Sequence, residues 1–99
     1  MRILAIGDIV GDTGVKYLQE NLSRIKRENN IDFVIANVEN SSDGMGLTKK
    51  TYNTLNFLDI DVMTMGNHTW SKKDVFELLD NNNLIRPANF YKDVAGKRI

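Results

Sequence analysis

The residues best suited to chemistry in this sequence are polar side chains that directly follow short apolar segments. One segment ends before an aspartate, a second before a Glu-Asn pair, and a third before a Gly-Asn-His tripeptide. If the three segments are parallel strands, their carboxyl ends meet at one edge of a sheet, where ligands bind in such folds. We therefore expect five side chains to lie together there: Asp8, Glu39, Asn40, Asn67 and His68.

The chemistry of this set suits a divalent metal site. Two carboxylates, two amide oxygens and one imidazole are oxygen and nitrogen donors that Mn²⁺ or Fe²⁺ accept. A carboxylate such as Glu39 can also bridge two metal ions about 3.5–4 Å apart, which clamps a phosphoryl group. Ordinary alternatives exist, since Asp8 can cap a turn and His68 can be a hydrogen-bonding loop residue. The shared position after three strands favours the site.

Apolar runs and helical periodicity alternate along the chain and indicate the fold class. Strands are predicted over 2–7, 32–38, 61–65 and 84–86, because each run is short, apolar and bounded by turn residues. The runs are apolar on both faces, as in strands that helices cover on each side. The order β-α-β-α-β-α-β predicts an α/β fold with a mainly parallel sheet and right-handed βαβ crossovers.

Three helices are predicted from periodicity and capping signals. Apolar residues recur at steps of three and four from Val15, after a glycine-rich turn over 11–14, and Asn29 marks the end of that helix. Thr48 is placed to cap the second helix. Ser71, with an aspartate three residues later, is placed to begin the third.

Composition narrows the function classes. The 99 residues include 13 Lys or Arg and 13 Asp or Glu, a balance that disfavours a nucleic-acid binder with a basic face. Cysteine is absent, which excludes disulfides, zinc ribbons and thiol nucleophiles. No apolar run approaches the ~20 residues of a membrane span, and the stretch before Asp8 is too short for a signal peptide. We expect a cytoplasmic protein with no membrane partner.

The glycines of the first loop favour a rival interpretation. Gly7, Gly11 and Gly14 lie between a strand and a helix, as in a dinucleotide-binding fingerprint. Their spacing differs from G-x-G-x-x-G, and the acidic residue of that fingerprint would have to be Glu39.

Four segments, GDIVGDTG, NVENSSDGMG, TMGNHTW and RPANF, together resemble the bacterial YmdB-type branch of the calcineurin-like metallophosphoesterases. The resemblance runs from Met1 to about Gly96. Most calcineurin-like enzymes carry Asp-x-His after the first strand, whereas the triplet here begins at Asp8 and continues Ile-Val, as in that branch. The resemblance implies a calcineurin-like α-β-β-α sandwich.

The resemblance also implies roles for individual residues. Asp8, Glu39, Asn40 and Asn67 correspond to ligands of a centre of two divalent transition metals, iron or manganese, with Glu39 as the bridge. His68 corresponds to the proton donor. The implied activity is a phosphodiesterase acting on small phosphodiesters, including 2′,3′-cyclic nucleotides, with a link to bacterial cell-state regulation.

The same resemblance implies an incomplete site. The family's centre uses three further histidines from its C-terminal half, whereas His68 is the only histidine here. Residues 1–99 correspond to the N-terminal portion of the family's domain, without its second sheet. We therefore expect the chain alone to lack appreciable activity and to form homo-oligomers. The alternative is a non-catalytic nucleotide-binding or interaction domain, which would hold no transition metal.

Overall fold

The chain folds into a parallel sheet with helices between its strands. The computed structural model describes residues 1–90 and 94–97. Its four strands lie in chain order, each parallel to the next, which confirms the predicted α/β class. The elements are β1 (Ile3–Ile6), α1 (Gly11–Glu28), β2 (Phe33–Asn37), α2 (Lys49–Phe57), β3 (Val62–Thr64), α3 (Val75–Leu78) and β4 (Leu84–Ile85).

The register aligns the carboxyl ends of the strands. Ile6 pairs with Ala36 across β1 and β2, and Asn37 pairs with Thr64 across β2 and β3. Beyond β4, the chain returns to the sheet, where the backbone N–H of Arg86 donates to the carbonyl of Lys97 over 2.8 Å. The loops after β1, β2 and β3 therefore leave the sheet at the same edge.

The helices cover one face of the sheet. The strand residues of the buried core lie on that face, and none of them has exposed surface: Val34, Ala36, Met63 and Leu84. The runs are apolar on both faces, which is typical of strands covered on each side, but the described helices cover one side only. The reason is topological, because parallel strands in chain order joined by crossovers of one hand place every helix on the same side.

The opposite face of the sheet, which we call the open face, is mostly apolar and is uncovered by any helix of the described residues. Ile3 is 56% exposed, and the other side chains of this face are exposed or half-buried. Its apolar side chains are Ile3, Ala5, Phe33, Ile35, Val62 and Ile85, and the polar side chains of Asn37 and Thr64 lie on the same face at the carboxyl ends of β2 and β3.

The first helix begins earlier than its periodicity predicts. The predicted turn over 11–14 is instead the first turn of α1, which starts at Gly11. Val10, at the N-cap position, offers no side-chain cap, so the sequence carries no signal for this boundary. The helix ends as predicted, since Asn29 is its C-cap and Asn30 adopts a left-handed φ of 52°.

The structure confirms the predicted start of the second helix but not that of the third. The side chain of Thr48 accepts a hydrogen bond from the backbone N–H of Thr51, so the predicted cap of α2 is confirmed. The third helix does not begin at Ser71, because α3 starts at Val75. The carboxylate of Asp74 instead accepts from the backbone N–H of Lys49 over 2.8 Å and links α3 to α2.

No helix within residues 1–90 and 94–97 is both long enough and apolar enough to cross a membrane.

The buried side chains of the helical layer should dominate the stability of the fold. Leu55 is fully buried on α2, so Leu55→Ala is expected to lower the free energy of unfolding by about 2–5 kcal/mol. Phe57 lies on the same helix and is 86% exposed, so Phe57→Ala should change it by less than about 0.5 kcal/mol. Urea unfolding followed by circular dichroism measures both. Equal losses in the two variants would contradict this assignment of the core.

Candidate active site

Side chains from three loops meet at the carboxyl edge of the sheet. The amide Nδ2 of Asn40 donates to Oδ1 of Asp8 over 2.8 Å, which joins the loop after β2 to the loop after β1. The amide Oδ1 of Asn40 contacts Nδ1 of His68, which joins it to the loop after β3. An amide oxygen can only accept, so Nδ1 of His68 carries the proton in this contact. The other ring nitrogen, Nε2, is left as the acceptor of the neutral ring.

Glu39 lies beside this chain of contacts and is held by two donors. Its Oε2 accepts from the backbone N–H of His68, and its Oε1 accepts from the side-chain amide of Asn37, each over 3.4 Å. The backbone N–H of Glu39 in turn donates to the side-chain oxygen of Asn37 over 3.3 Å. These contacts fix the carboxylate at the end of β3.

Gly66 leaves the space that the Glu39 carboxylate occupies. A Cβ atom at position 66 would overlap both carboxylate oxygens of Glu39. At Gly7, the corresponding place after β1, a Cβ atom would meet nothing within 4 Å. The requirement for glycine at position 66 therefore comes from the carboxylate and not from the strand end as such.

Backbone hydrogen bonds hold the loops in place. The N–H of Gly11 donates to the carbonyl of Asn40 over 2.9 Å, so the start of α1 is attached to the loop after β2. The N–H of Ile9 donates to the carbonyl of Asn37 over 3.2 Å. In the third loop, the backbone N–H and the hydroxyl of Thr69 both donate to the carbonyl of Gly66. These contacts restrain the side chains of the site before any ligand arrives.

The structure brings together Asp8, Glu39, Asn40 and His68, four of the five side chains expected at this edge. Asn67 lies between Gly66 and His68, both of which border the Glu39 carboxylate, and its side chain is exposed. Asp8 is exposed as well, whereas Glu39, Asn40 and His68 are half-buried. The site therefore opens to solvent at the sheet edge.

Two residues of this arrangement were not predicted as part of it, Asn37 and Gly66. Asn37 ends the otherwise apolar strand β2, and a polar residue at that point was a usable signal. The contact between Gly66 and Glu39 joins two loops 27 positions apart in the sequence, so nothing local indicates it.

The donor set fits part of a metal shell. Within the described part of the chain, no three side chains of His, Cys, Asp or Glu come close enough to hold a metal ion by themselves. The amide oxygens of Asn40 and Asn67 would have to complete the carboxylates of Asp8 and Glu39. An amide oxygen has two lone pairs, so Asn40 can accept from His68 and still offer one to a cation.

Comparison with known proteins identifies the family. The model of the family described as "YmdB-like protein" matches residues 4–99. The chain belongs to the YmdB-like family. This agrees with the sequence segments after β1, β2 and β3 that carry the resemblance, because the same segments form the edge site.

Individual relatives of this YmdB-like chain are similar over nearly its whole length. A 2′,3′-cyclic-nucleotide 2′-phosphodiesterase of Bacillus subtilis is 46% identical over 100 residues, which cover 100% of the chain and 38% of that protein. A crystal structure of a hypothetical protein from Thermus thermophilus superimposes with a TM-score of 0.91 at 36% identity, covering 98% of the chain and 38% of that structure. A crystal structure titled as a novel phosphatase from Mycoplasma pneumoniae gives 0.89 at 34% identity, covering 96% and 36%. The chain thus spans well under half the length of these relatives.

The position of the Glu39 carboxylate in the YmdB-like chain can be tested through Gly66. In Gly66→Ala, the new methyl group displaces the carboxylate, so the backbone N–H of His68 loses its acceptor. The free energy of unfolding should change by only about 1 kcal/mol, because the end of a flexible side chain moves and one hydrogen bond is lost. We expect a large change in the amide chemical shift of His68 in ¹H–¹⁵N spectra. Gly7→Ala is the matched control and should leave that resonance in place.

Proposed function

We propose that this chain supplies part of the two-metal centre of a phosphodiesterase that hydrolyses small phosphodiesters such as 2′,3′-cyclic nucleotides. The observation that carries the proposal is the chain of contacts from Asp8 through Asn40 to His68, with the Glu39 carboxylate beside it. The name of the Bacillus subtilis relative, a 2′,3′-cyclic-nucleotide 2′-phosphodiesterase, supports the substrate class.

In this proposal, Asp8, Glu39, Asn40 and Asn67 would hold two divalent ions, iron or manganese, and Glu39 would be a ligand of both. Oxygen donors of these types suit such ions. Because Gly66 has no side chain, the Glu39 carboxylate has room at the edge of the sheet. When bound, the two metals would withdraw charge from the phosphoryl oxygens and lower the pKa of a water molecule towards neutrality.

His68 acts as the general acid that protonates the leaving oxygen. Its Nδ1–H is engaged by Asn40, so the imidazolium form of the ring would be the acid, and it would transfer the proton on Nε2. Asn40 therefore has a second task, since it fixes the orientation of the ring as well as contacting Asp8. A positioned general acid contributes roughly 10²–10⁴-fold to the rate.

The remaining ligands are proposed to come from outside residues 1–99. The described residues provide no His, Cys, Asp or Glu cluster of three, and the resemblance assigns three further histidines to the family's centre. Residues 1–99 alone should then bind transition metals weakly and hydrolyse 2′,3′-cyclic AMP at no more than the background rate. Efficient manganese-dependent hydrolysis by residues 1–99 would overturn this division of the site.

The role of His68 is tested with two substrates in the complete encoded protein. His68→Gln should lower kcat for 2′,3′-cyclic AMP by roughly 10²–10⁴-fold, because an alkoxide needs a proton to leave. It should lower kcat for bis(p-nitrophenyl) phosphate far less, because p-nitrophenolate is a stable leaving group. Steady-state kinetics with excess Mn²⁺ measures both.

Two further variants make this test specific. Glu39→Gln should reduce the hydrolysis of both substrates, since a metal ligand serves either leaving group. Asp80→Asn removes an exposed carboxylate between α3 and β4 and should change neither. An equal loss on both substrates in His68→Gln would remove His68 as the general acid.

A second candidate is a non-catalytic nucleotide-binding or interaction domain. The observation in its favour is that the described residues supply only part of a metal shell. The two candidates differ in metal content. The complete encoded protein should carry about two transition-metal ions per chain as an enzyme and none as a binding module, and elemental analysis of the purified protein separates these outcomes.

A cytoplasmic location is part of the same proposal. Without cysteine, the 99 residues can form no disulfide, so their fold does not depend on an oxidising compartment.

We propose in addition that residues 1–99 self-associate through the open face. This face presents apolar side chains, and exposed apolar patches of more than a few hundred Å² mark interfaces. Light scattering at micromolar concentration should give a multiple of the 11.3 kDa chain mass. Ile3→Glu places a charge on the face and should restore the single-chain mass, whereas Phe57→Glu, on the exposed side of α2, should not. A mass of 11.3 kDa for the unmodified chain would contradict the proposal.

A further inference from the structure

An aromatic cluster lies at the same edge of the sheet as His68. The ring of Trp70 stacks on Phe76 with centroids 5.5 Å apart and an interplanar angle of 25°, and it contacts Phe90 at 5.6 Å. Trp70 is half-buried against the core, so it anchors the group. We call these three residues, Trp70, Phe76 and Phe90, the aromatic shelf.

The shelf exposes one ring to solvent. Phe76 is 58% exposed although it is a large apolar residue, and it belongs to the short helix α3. One face of its ring lies against Trp70, and its high exposure leaves the other face for a third ring. Packing against the core accounts for the position of Trp70, but it does not account for the exposure of Phe76.

The turn that carries His68 also carries Trp70. The backbone N–H of Ser71 donates to the carbonyl of His68 over 3.1 Å, so residues 68–71 form a tight turn. Two residues span at most about 7 Å of backbone, so the Cα atom of Trp70 lies within that distance of the Cα atom of His68. Phe90 reaches the cluster from the segment after β4, so the shelf lies on the β4 side of His68 and Asp8 lies on the β1 side.

We propose that the aromatic shelf binds the nucleobase of a nucleotide whose 2′,3′-cyclic phosphate lies at His68. The inference rests on the proposed function and adds the part of the protein that recognises the base. A phosphate at His68 leaves the base one ribose away, and the shelf is the exposed aromatic group that shares a turn with His68. Stacking on an aromatic side chain accepts every base, because each base has a π face. The shelf should therefore favour nucleotides over phosphodiesters without a base, with little choice among the bases.

The test compares substrates with and without a base in the complete encoded protein. Phe76→Ala and Phe76→Leu should each raise KM for 2′,3′-cyclic AMP roughly 10-fold with kcat unchanged, a loss of the order expected for one stacked base. Neither variant should change KM for methyl ribofuranoside 2,3-cyclic phosphate, which lacks the base. Phe76→Tyr keeps an aromatic ring and should retain the original KM.

Phe57→Ala is the matched control, because it removes an equally apolar and even more exposed ring on α2. Phe76→Leu preserves an apolar side chain, so it separates a loss of stacking from a loss of folding. Equal KM changes for both substrates, or no change for either, would overturn the proposal. No change for either substrate is the result expected if another part of the polypeptide covers the shelf.

The proposal that the aromatic shelf binds the base can be wrong even if the proposed function is right, and the experiment distinguishes the two cases. If the protein hydrolyses both cyclic phosphates equally well in all variants, the phosphodiesterase stands and the shelf does not bind the base. If it hydrolyses neither, isothermal titration with AMP and with ribose 5-phosphate still decides the point. Tighter binding of AMP that is lost in Phe76→Leu supports the shelf, and equal binding of the two ligands overturns it.

Discussion

Each strand of the sheet runs in the same direction and pairs with the strand that follows it in the sequence, and this constraint determines the rest of the molecule. It places the loops after β1, β2 and β3 side by side at one edge. It also sends every helix to the same face, where the buried core forms. The candidate site and the open face are thus two results of a single topology.

At that edge, contacts made by a few side chains join the neighbouring loops into one site. Asn40 contacts residues of both adjacent loops, and the Glu39 carboxylate fits the space above Gly66. The backbone of the first helix joins the same arrangement through the hydrogen bond from Gly11 to the carbonyl of Asn40. The polar contacts at the edge therefore connect β1, β2 and β3 in addition to the ladder hydrogen bonds between them.

The strand ends and one helix cap could be predicted from the sequence, because these features depend on neighbouring residues. Thr48 carries its signal locally, and the polar residues after the apolar runs indicate the edge where Asp8 and His68 meet. The covered face could not be predicted, since strands in chain order and strands in a rearranged order produce the same alternation of β and α. The start of α1 was missed because Val10 has no capping side chain.

Two residues of the site were missed, and only one of them depends on a contact between distant loops. In the sequence, nothing distinguishes Gly66 from an ordinary glycine at the end of a strand. Only the structure shows that the Glu39 carboxylate lies against it. Asn37 binds the same carboxylate from two positions away in the sequence, so its polar side chain at the end of an apolar strand was a usable local signal. The role of Gly66 requires the three-dimensional pairing of β2 with β3, which residue types alone do not determine.

An asparagine side chain has a donor end and an acceptor end, and at position 40 these ends face different partners. The donor end points at the negatively charged Asp8, and the acceptor end points at the ring N–H of His68. Asparagine amides are chemically labile compared with most side chains. Hydrolysis of this amide would produce a carboxylate of nearly the same shape with two acceptor ends. The loops could keep their positions, yet the contact with Asp8 would change from an attraction into a repulsion between like charges.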